Sequence, residues 1–275
     1  MHEWISKLGV SQRVLDLGSG SGSFDYSRYA CRIVALDADI GSLMTILRDK
    51  HHNLVVDSVC HLLPFRDRTF SLVVCNNTLE HFADLHETLS EIRRVLEPGG
   101  SLVVTVPYGY GFDDNLYRYL LEGGGHVNRF RFDEVVRLIE ENVHIRLVKW
   151  QELYSSYIYL KKPLPVVVQH LRPRFRRLAR LPATVFSITQ FSLNILIRFI
   201  SRWIGSGIAL YGWAFYFQRN GNQLVQIPAA INVCMHCGAG HASASLAGSR
   251  RARLLYRCPA CNGLNPYFKP RGVTV

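Results

Sequence analysis

The stretch VLDLGSGSG, residues 14–22, leads from an apolar run that contains one acid, Asp16, straight into three glycines at alternate positions. A short apolar run of this kind is typical of a buried parallel strand. Glycines after such a strand let the backbone approach a ligand closely, and the next helix offers free N–H groups in its first turn. Glycine-rich turns can also serve only to reverse the chain, so the neighbouring segments decide between the two interpretations.

Strand-like runs and helical segments alternate after this stretch. Residues 33–37 form a second apolar run that ends at Asp37, about 20 residues after the first, which is the spacing at which a Rossmann-type unit places a carboxylate on ribose hydroxyls. Further strands are predicted at 53–56, 70–75, 101–106 and 144–150, and helices at 84–96 and 133–142. This alternation predicts an α/β fold whose parallel sheet is covered on both faces.

Five ordered blocks within residues 14–107 resemble the class I S-adenosylmethionine-dependent methyltransferases, in particular the small-molecule and lipid methyltransferases. The blocks are residues 14–22, Asp37, 63–65 with Phe70, 79–81 and 91–100. Ser19 and Ser71 depart from the residues that the family often has at these positions. The resemblance implies a Rossmann-like, doubly wound sheet of seven strands and S-adenosyl-L-methionine as the cofactor. It says little about the methyl acceptor.

The resemblance also implies which residues contact the cofactor. The glycine loop lines the methionine portion, Asp16 holds its ammonium group indirectly, and Asp37 binds the ribose hydroxyls. The implied cofactor-binding residues are Asp16, Gly18, Ser19, Gly20, Gly22, Asp37, Asp57, Ser58 and Asn76. His81 and His126 are the candidates for a general base, since both are expected near the C-terminal edge of the sheet and histidine titrates in the useful range. An exposed surface histidine is the commoner alternative for each.

Charge is distributed unevenly along the 275 residues. Residues 1–150 hold 16 Lys or Arg and 20 Asp or Glu, whereas residues 151–275 hold 16 basic residues and a single acid, Glu152. A basic second half indicates an anionic partner such as lipid headgroups, nucleic acid or phosphorylated glycans, with a merely solvated basic face as the alternative. Met1 is followed by no signal-like apolar core, so we expect a cytoplasmic protein, with association at a membrane as a further possibility.

Residues 151–207 are predicted to be an insertion in the methyltransferase domain. Five arginines crowd residues 172–180, and in residues 187–201 polar residues recur every three or four positions. That spacing predicts a helix with a narrow polar stripe and a broad apolar face. Such a helix either lies in an anionic membrane surface or forms a lid that packs its apolar face on the domain. The charge-free runs here have 17 and 16 residues, short of the roughly 20 that a spanning helix needs. Residues 208–218 are predicted to be the last strand, antiparallel to the strand at 144–150.

Four cysteines near the C-terminus form two C-x2-C pairs separated by 20 residues: Cys234, Cys237, Cys258 and Cys261. This set matches structural, tetrahedral zinc, and metal binding would supply much of the folding free energy of so short a tail. The predicted domains are therefore a methyltransferase domain, residues 1–220, and a zinc-ribbon-like domain, residues 221–275. His236 and His241 are expected to be bystanders. The arginines of the tail are candidates to contact nucleic acid or lipid phosphate, with Tyr256 and Phe268 available to stack on bases, and a solvated basic face is the equal alternative.

These features favour a methyltransferase that modifies an oxygen or nitrogen of a lipid-linked, glycan or other amphiphilic acceptor near a membrane. One alternative is an RNA methyltransferase that grips nucleic acid with the ribbon and the basic half. Against it, residues 75–78 lack the Asn/Asp-Pro-Pro-aromatic signature typical of base-amino methylation. A second alternative is a non-catalytic binding protein on the same fold, although the intact acids Asp16, Asp37 and Asp57 favour retained cofactor binding.

Overall fold

A computed structural model describes residues 5, 8–48, 54–121, 125–154, 157, 171–204, 206–219, 225–226, 231–234, 240–242, 244–252 and 255–267. The chain divides into two compact units. The first comprises Met1–Val106, Val127–Trp150 and Ala214–Gln226, and the second comprises Pro107–His126, Gln151–Trp213 and Ile227–Val275. Each unit is described by itself below.

Strands and helices follow one another in an order close to the predicted one. The strands are β1 (Arg13–Leu17), β2 (Arg32–Asp37), β3 (Leu54–Asp57), β4 (Phe70–Asn76), β5 (Leu96–Pro107), β6 (Arg146–Tyr154), β7 (Leu210–Gln218), β8 (Val225–Gln226), β9 (Ile231–Val233), β10 (Gly240–Ala242), β11 (Arg250–Ala252), β12 (Leu255–Arg257) and β13 (Leu264–Pro266). The α-helices are α1 (Ile40–Arg48), α2 (Leu85–Val95), α3 (Phe112–Leu120), α4 (Phe132–Val143) and α5 (Ala183–Ile204). Short 3-10 helices occur at Tyr26–Arg28, Leu79–His81, Pro173–Arg180, Ser206–Ala209 and Ala244–Ser249.

The first unit is built on a mixed sheet in the order β3-β2-β1-β4-β5-β7-β6. The pairings of β1 with β2 and β4, of β2 with β3, and of β4 with β5 are all parallel. In this unit Arg219 donates its backbone N–H to the carbonyl of Gly100, and in the second unit Tyr108 does the same to Tyr211. Because the later residue at β7 pairs with the earlier residue at β5, these two hydrogen bonds show that β7 is antiparallel to β5. The predicted Rossmann-like sheet of seven strands is therefore confirmed, with the strand at 208–218 lying beside β6.

The apolar runs form the core of the first unit. Leu15 of β1, Val73 of β4 and Val103 of β5 are fully buried, as expected for strands covered on both faces. α2 packs against α4, where His86 Nδ1 lies 3.1 Å from Asn142 Oδ1. α4 ends at His144, which adopts the left-handed conformation with φ 59°.

Arg94 of α2 joins two of the sequence blocks into one structural feature. Its guanidinium donates to the backbone carbonyls of Leu63 (3.0 Å) and Phe65 (2.7 Å) and to the carboxylates of Glu91 and Asp67. Glu91 in turn accepts the backbone N–H of Leu63 at 2.8 Å. Hydrogen bonding by Arg94 lowers the pKa of the Glu91 carboxyl. The segment before β4 is thus anchored to α2.

The second unit contains α3 and α5, with a small antiparallel sheet β11-β12-β13. In this unit Leu153 of β6 pairs with Ile231 of β9, and β9 pairs with β10. Tyr157, Ile197 and Ala209 form one buried apolar cluster. A second cluster contains Cys234, Leu246, Tyr256, Cys258 and Tyr267.

Two helices of the second unit differ from the sequence-based expectation. α3 was not predicted, and α5 extends beyond the predicted 187–201 at both ends. Within the described residues, Thr184–Ser201 of α5 is long and apolar enough, by length and composition alone, to cross a membrane, and 24% of it is buried.

One short helix is expected over residues 1–13. Ile5 is helical, residues 8–12 form a turn rather than a helix, and residues 1–4 and 6–7 lie outside the described residues.

Candidate cofactor site and cysteine cluster

The loop after β1 has a conformation that requires glycine at its first position. Gly18 has φ +67°, and a Cβ atom there would lie 2.0 Å from Cγ2 of Thr78. Thr78 follows β4 and donates its hydroxyl to the carbonyl of Asn76 at 3.1 Å. The glycine loop is therefore in close contact with the segment that leaves β4.

Gly20 connects this loop to the carboxylate at the end of β2. Its N–H donates to Asp37 Oδ2 at 2.7 Å, and Asp37 Oδ1 accepts the N–H of Asp39 at 2.8 Å. Each carboxylate oxygen retains further acceptor capacity, as binding a pair of hydroxyls requires. A Cβ on Gly20 would meet no atom within 4 Å, so the loop borders open space at this point.

Asp16 lies in β1, is fully buried, and accepts hydrogen bonds from two residues that follow the glycine loop. Its carboxylate accepts the hydroxyl of Ser23 at 2.7 Å, the N–H of Ser23 at 3.1 Å and the hydroxyl of Tyr26 at 2.5 Å. Burial raises the pKa of Asp16 to about 6, although hydrogen bonds from Tyr26 and Ser23 oppose the shift. A buried acid within an apolar run needs nearby donors, and that need is the signal by which Ser23 and Tyr26 could have been found.

The remaining loop residues line the same edge. Ser19 is buried, donates its N–H to the carbonyl of Leu36 at 2.9 Å, and its hydroxyl has no hydrogen-bond partner among the described residues. Gly22 has φ +106°, and a Cβ atom there would lie 3.8 Å from the hydroxyl oxygen of Tyr26. The positive φ values at Gly18, Gly20 and Gly22 explain why alternate glycines occur here.

Asn76 lies at the C-terminal end of β4. The hydroxyl of Thr105 donates to Asn76 Oδ1 at 2.6 Å and accepts the N–H of Asn77 at 2.9 Å. Asn77 is left-handed, with φ 51°. Thr105, one strand away on β5, thus orients the Asn76 amide, and no sequence signal indicated this role.

Asp57 and Ser58 lie at the end of β3, where Asp57 is in register with Asp37. Ser58 donates its N–H to the carbonyl of Asp37 at 3.1 Å. Burial, with a contribution from the charge on Asp37, raises the pKa of the nearby Cys60 thiol to about 12. Cys60 is therefore a neutral thiol at neutral pH.

All nine implied cofactor-binding residues lie in the first unit, at the C-terminal ends of β1 to β4 or in the loops that follow. Ligands bind outside the carboxyl ends of the strands in open α/β sheets. The glycine loop, the Asp37 carboxylate and the open space beside Gly20 fit the predicted nucleoside cofactor.

The two candidate bases have different surroundings. His81 belongs to the first unit, is exposed, and ends the 3-10 turn Leu79–His81. The Asn128 amide, which was not predicted, holds that turn by donating to the carbonyls of Leu79 (3.0 Å) and Phe82 (2.7 Å).

His126 belongs to the second unit and is paired with a carboxylate of α3. Its Nδ1 lies 2.5 Å from Oδ1 of the buried Asp114, and its ring stacks on Tyr117 with centroids 4.5 Å apart. Arg118 donates to the other Asp114 oxygen at 2.6 Å. A carboxylate at Nδ1 places the proton of a neutral imidazole on Nδ1, leaving Nε2 as the basic nitrogen.

Three of the four predicted metal ligands come together in the second unit. The sulfurs of Cys234, Cys258 and Cys261 lie within 4.8 Å of one another, and Cys234 Sγ is 3.6 Å from Cys261 Sγ. Thiolates bound tetrahedrally at about 2.3 Å from one zinc ion lie about 3.8 Å apart, so the spacing fits a zinc site. The fourth predicted ligand, Cys237, lies outside the described residues.

The residues around these cysteines support a compact tail. Cys258 donates its N–H to the carbonyl of Gly263 at 2.9 Å, and His241 Nε2 lies 3.1 Å from Cys258 Sγ. Tyr256 is fully buried, so the expectation that it stacks on nucleic-acid bases was wrong: its ring is part of the core of the tail. Phe268 lies outside the described residues.

Comparisons with known proteins agree with this geometry. Residues 15–104 match the family described as a methyltransferase domain. The uncharacterized methyltransferase YcgJ of Bacillus subtilis is 26% identical over 154 residues, or 54% of this chain and 56% of that protein. The ubiquinone/menaquinone biosynthesis C-methyltransferase UbiE of Haemophilus ducreyi is 40% identical over 106 residues, or 34% of this chain and 40% of that protein. The chain thus spans about half the length of the curated relatives it matches.

A solved structure shows the same fold. The phosphoethanolamine N-methyltransferase 2 of Haemonchus contortus, in complex with S-adenosyl-L-methionine, has a TM-score of 0.53 at 15% sequence identity. The match covers 78% of this chain and 50% of that chain. Residues 15–104 therefore resemble a methyltransferase domain, and the two structures share a fold.

Proposed function

We propose that this chain is an S-adenosyl-L-methionine-dependent methyltransferase. The observation that carries the proposal is the 2.7 Å hydrogen bond from Gly20 N–H to Asp37, which sets a glycine loop and a ribose-type carboxylate side by side at the edge of a parallel sheet. The methyltransferase domain match over residues 15–104 covers the same residues. A structural neighbour with this fold binds S-adenosyl-L-methionine.

The residues of the loop divide the binding between them. Asp37 accepts hydrogen bonds from the ribose hydroxyls. Its two oxygens already accept the N–H groups of Gly20, in the loop after β1, and of Asp39, after β2, and each oxygen can accept a further hydrogen bond. Gly18 and Gly20 keep side chains away from the methionine portion. The buried Asp16 supplies negative charge beneath the loop, and a cationic ammonium group above it favours the ionised carboxylate.

When bound, the cofactor supplies a methyl group on a sulfonium, so the protein mainly orients the acceptor, excludes water and removes a proton where the acceptor needs it. Asn76, held by Thr105, presents its amide at the end of β4. His126, oriented by Asp114, and His81 are the proposed bases.

The proposed acceptor is an oxygen or nitrogen of an amphiphilic, lipid-linked or glycan molecule. In support, the relative UbiE is named for ubiquinone/menaquinone biosynthesis, although its name specifies a carbon acceptor. The basic second half suits an acceptor that carries phosphate. The RNA alternative loses one of its supports, because Tyr256 is buried.

We also propose that Cys234, Cys237, Cys258 and Cys261 hold a structural zinc ion. The 3.6 Å separation of two of the sulfurs supports it. Zinc would link the short strands of the tail, whose buried cluster is small.

Methyl-labelled cofactor tests the function and the acceptor class together. The full chain is incubated with labelled S-adenosyl-L-methionine and either a total lipid extract or total RNA, and label is measured in the organic and RNA fractions. We expect label in the lipid fraction, absent with Asp37→Ala and retained with the matched surface variant Asp133→Ala. Product analysis then distinguishes oxygen, nitrogen and carbon acceptors. If neither S-adenosyl-L-methionine nor its demethylated product gives heat on titration into the protein, the enzymatic proposal fails.

A further inference from the structure

α5 has a buried face that is mostly polar and an exposed face that carries large apolar side chains, the opposite of a usual surface helix. Its inner face, which we define as Gln190, Asn194, Ile197 and Ser201, is buried, with Gln190 and Asn194 each only 1% exposed. Its outer face, which we define as Val185, Ile188, Leu196 and Phe199, is exposed, with Ile188 at 66% and Phe199 at 50%. The four inner residues follow steps of four, three and four, so they share one side of the helix, and the outer residues occupy the opposite side.

The polar inner side chains are compatible with burial because they hydrogen-bond to the backbone of α5. The Asn194 amide donates to the carbonyl of Gln190 at 2.9 Å, and the Ser201 hydroxyl donates to the carbonyl of Ile197 at 2.6 Å. Ile197 joins a buried cluster with Tyr157 and Ala209. The orientation of α5 is therefore set by packing, and it leaves the four apolar side chains of the outer face exposed, whereas the other described apolar side chains of the helix are buried or half-buried.

A group of exposed arginines directly precedes α5 in the chain. Arg174, Arg176, Arg177 and Arg180, which we call the arginine cluster, lie in the 3-10 segment that precedes α5, and all four are exposed. Arg174 also lies 4.5 Å from the ring centroid of Tyr119, itself an exposed aromatic residue. Glu152 is the one acid of residues 151–275, and the two acids of α3, Asp113 and Asp114, are buried.

We propose that the outer face of α5 and the arginine cluster form a docking surface for an anionic lipid bilayer, with α5 lying in the plane of the headgroups. Exposed apolar patches mark interaction sites, and apolar side chains next to arginines match an interface of acyl chains and anionic headgroups. A second copy of the chain fits less well, because it would bring the same arginines against one another. A spanning orientation does not fit either, since the inner face is occupied by the protein itself. This proposal goes beyond the proposed function and does not depend on it.

Flotation of the full chain with vesicles tests the proposal without any methyl donor. We expect binding to phosphatidylcholine–phosphatidylglycerol vesicles, little binding to pure phosphatidylcholine, and weakening as salt is raised. Ile188→Ser with Phe199→Ser should weaken binding about tenfold or more. The matched pair Val10→Ser with Leu54→Ser, which removes similarly exposed apolar side chains from the first unit, should leave binding unchanged.

Charge is tested in the same way. Arg176→Gln, Arg177→Gln and Arg180→Gln together should weaken binding to anionic vesicles about fivefold per arginine. The control triple variant, Arg66→Gln, Arg93→Gln and Arg137→Gln, removes the same charge from exposed sites of the first unit and should have much less effect. The altered side chains are exposed, so thermal unfolding should show that every variant remains folded.

Several results would overturn the proposal. Absence of flotation with anionic vesicles would do so, and so would equal losses in the test and control variants. Resistance to alkaline carbonate extraction would indicate a spanning helix instead. Dimerisation abolished by Ile188→Ser with Phe199→Ser, without vesicle binding, would assign the face to a second copy. RNA binding that exceeds vesicle binding and is unaffected by that pair would assign the arginines to nucleic acid.

Discussion

The hydroxyl of Tyr26 donates to the fully buried carboxylate of Asp16 at 2.5 Å, directly beneath the glycine loop. Tyr26 comes ten residues after Asp16, beyond the loop itself. The contact joins the two ends of the segment that contains Gly18, Gly20 and Gly22, all three with positive φ. The segment that carries the glycines is therefore tied at Tyr26 to a buried acid of β1.

Asp16 gives the unfolding free energy a characteristic pH dependence. Its folded pKa of about 6 is raised above the unfolded value, so its contribution to stability is fully present below about pH 4 and is lost as pH rises through about 6. Relative to Asp16→Asn, the wild type should lose about 3 kcal/mol in all between about pH 3 and about pH 7, which bracket the unfolded and folded pKa values. Denaturant unfolding across this range measures the difference. A constant difference between the two proteins would contradict the raised pKa.

Gly18→Ala should weaken both stability and cofactor affinity more than a positive φ alone explains. The new methyl group would lie 2.0 Å from Thr78 Cγ2, whereas Gly99, with φ +80°, has no atom within 4 Å of the same position. Gly99→Ala is therefore the matched control and should cost about 1–3 kcal/mol for backbone strain only. Thr78→Ser removes Cγ2 and should partly rescue Gly18→Ala. Calorimetry with the demethylated cofactor product and thermal unfolding provide the two readouts.

Arg94→Met should destabilise the first unit by about 2 kcal/mol, because it removes charge-assisted hydrogen bonds to Glu91 and to two backbone carbonyls. The pKa of Glu91 is lowered in the folded protein, so its contribution is present above the unfolded value of about 4.3 and is lost as pH falls. The difference between wild type and variant should therefore shrink in acid. Arg93→Met, at an exposed position of the same helix, is the control and should change stability little.

Cys258→Ser should lower both the zinc content and the thermal stability of the purified protein. Cys258 is buried within the sulfur cluster, and serine is a poor zinc ligand. Metal analysis should give one zinc per wild-type chain and markedly less in the variant. Cys60→Ser, which alters a cysteine of the first unit, should retain the metal. Full zinc retention by Cys258→Ser would remove that cysteine from the ligand set.

His126→Asn and His81→Ala separate the two candidate bases. The variant that loses the base should lower turnover about 100-fold or more while leaving cofactor affinity unchanged. Asp114→Asn should mimic loss of His126 if the carboxylate orients that imidazole, and its rate should respond differently to pH. Unchanged turnover in both histidine variants would show that the acceptor needs no protein base.

Short-range patterns accounted for most of the fold. Apolar runs that end at Asp37, Asp57 and Asn76 predicted three strands whose C-terminal ends lie at the candidate site, because a buried parallel strand has a simple sequence pattern. The glycine spacing was informative for the same reason, since a positive φ admits few other residues.

Contacts between distant segments were not predictable in this way. Thr105 orients Asn76 from the adjacent strand, and Asn128 holds the turn at Leu79. Neither residue lies in a sequence pattern that indicates these contacts. The inward side of α5 was ambiguous for a related reason. Periodicity gives the two faces of a helix, but only tertiary packing decides which face is buried.

The anchoring of residues 63–67 by Arg94 relies mainly on main-chain oxygens, those of Leu63 and Phe65. Main-chain oxygens are present whatever side chain occupies a position. The exposed positions Pro64 and Arg66 can therefore be exchanged while these contacts persist, whereas exchange of Asp67 would remove its contact with Arg94. For protein engineering, this makes the exchangeable positions sites for a peptide tag or a fluorophore attachment point beside α2.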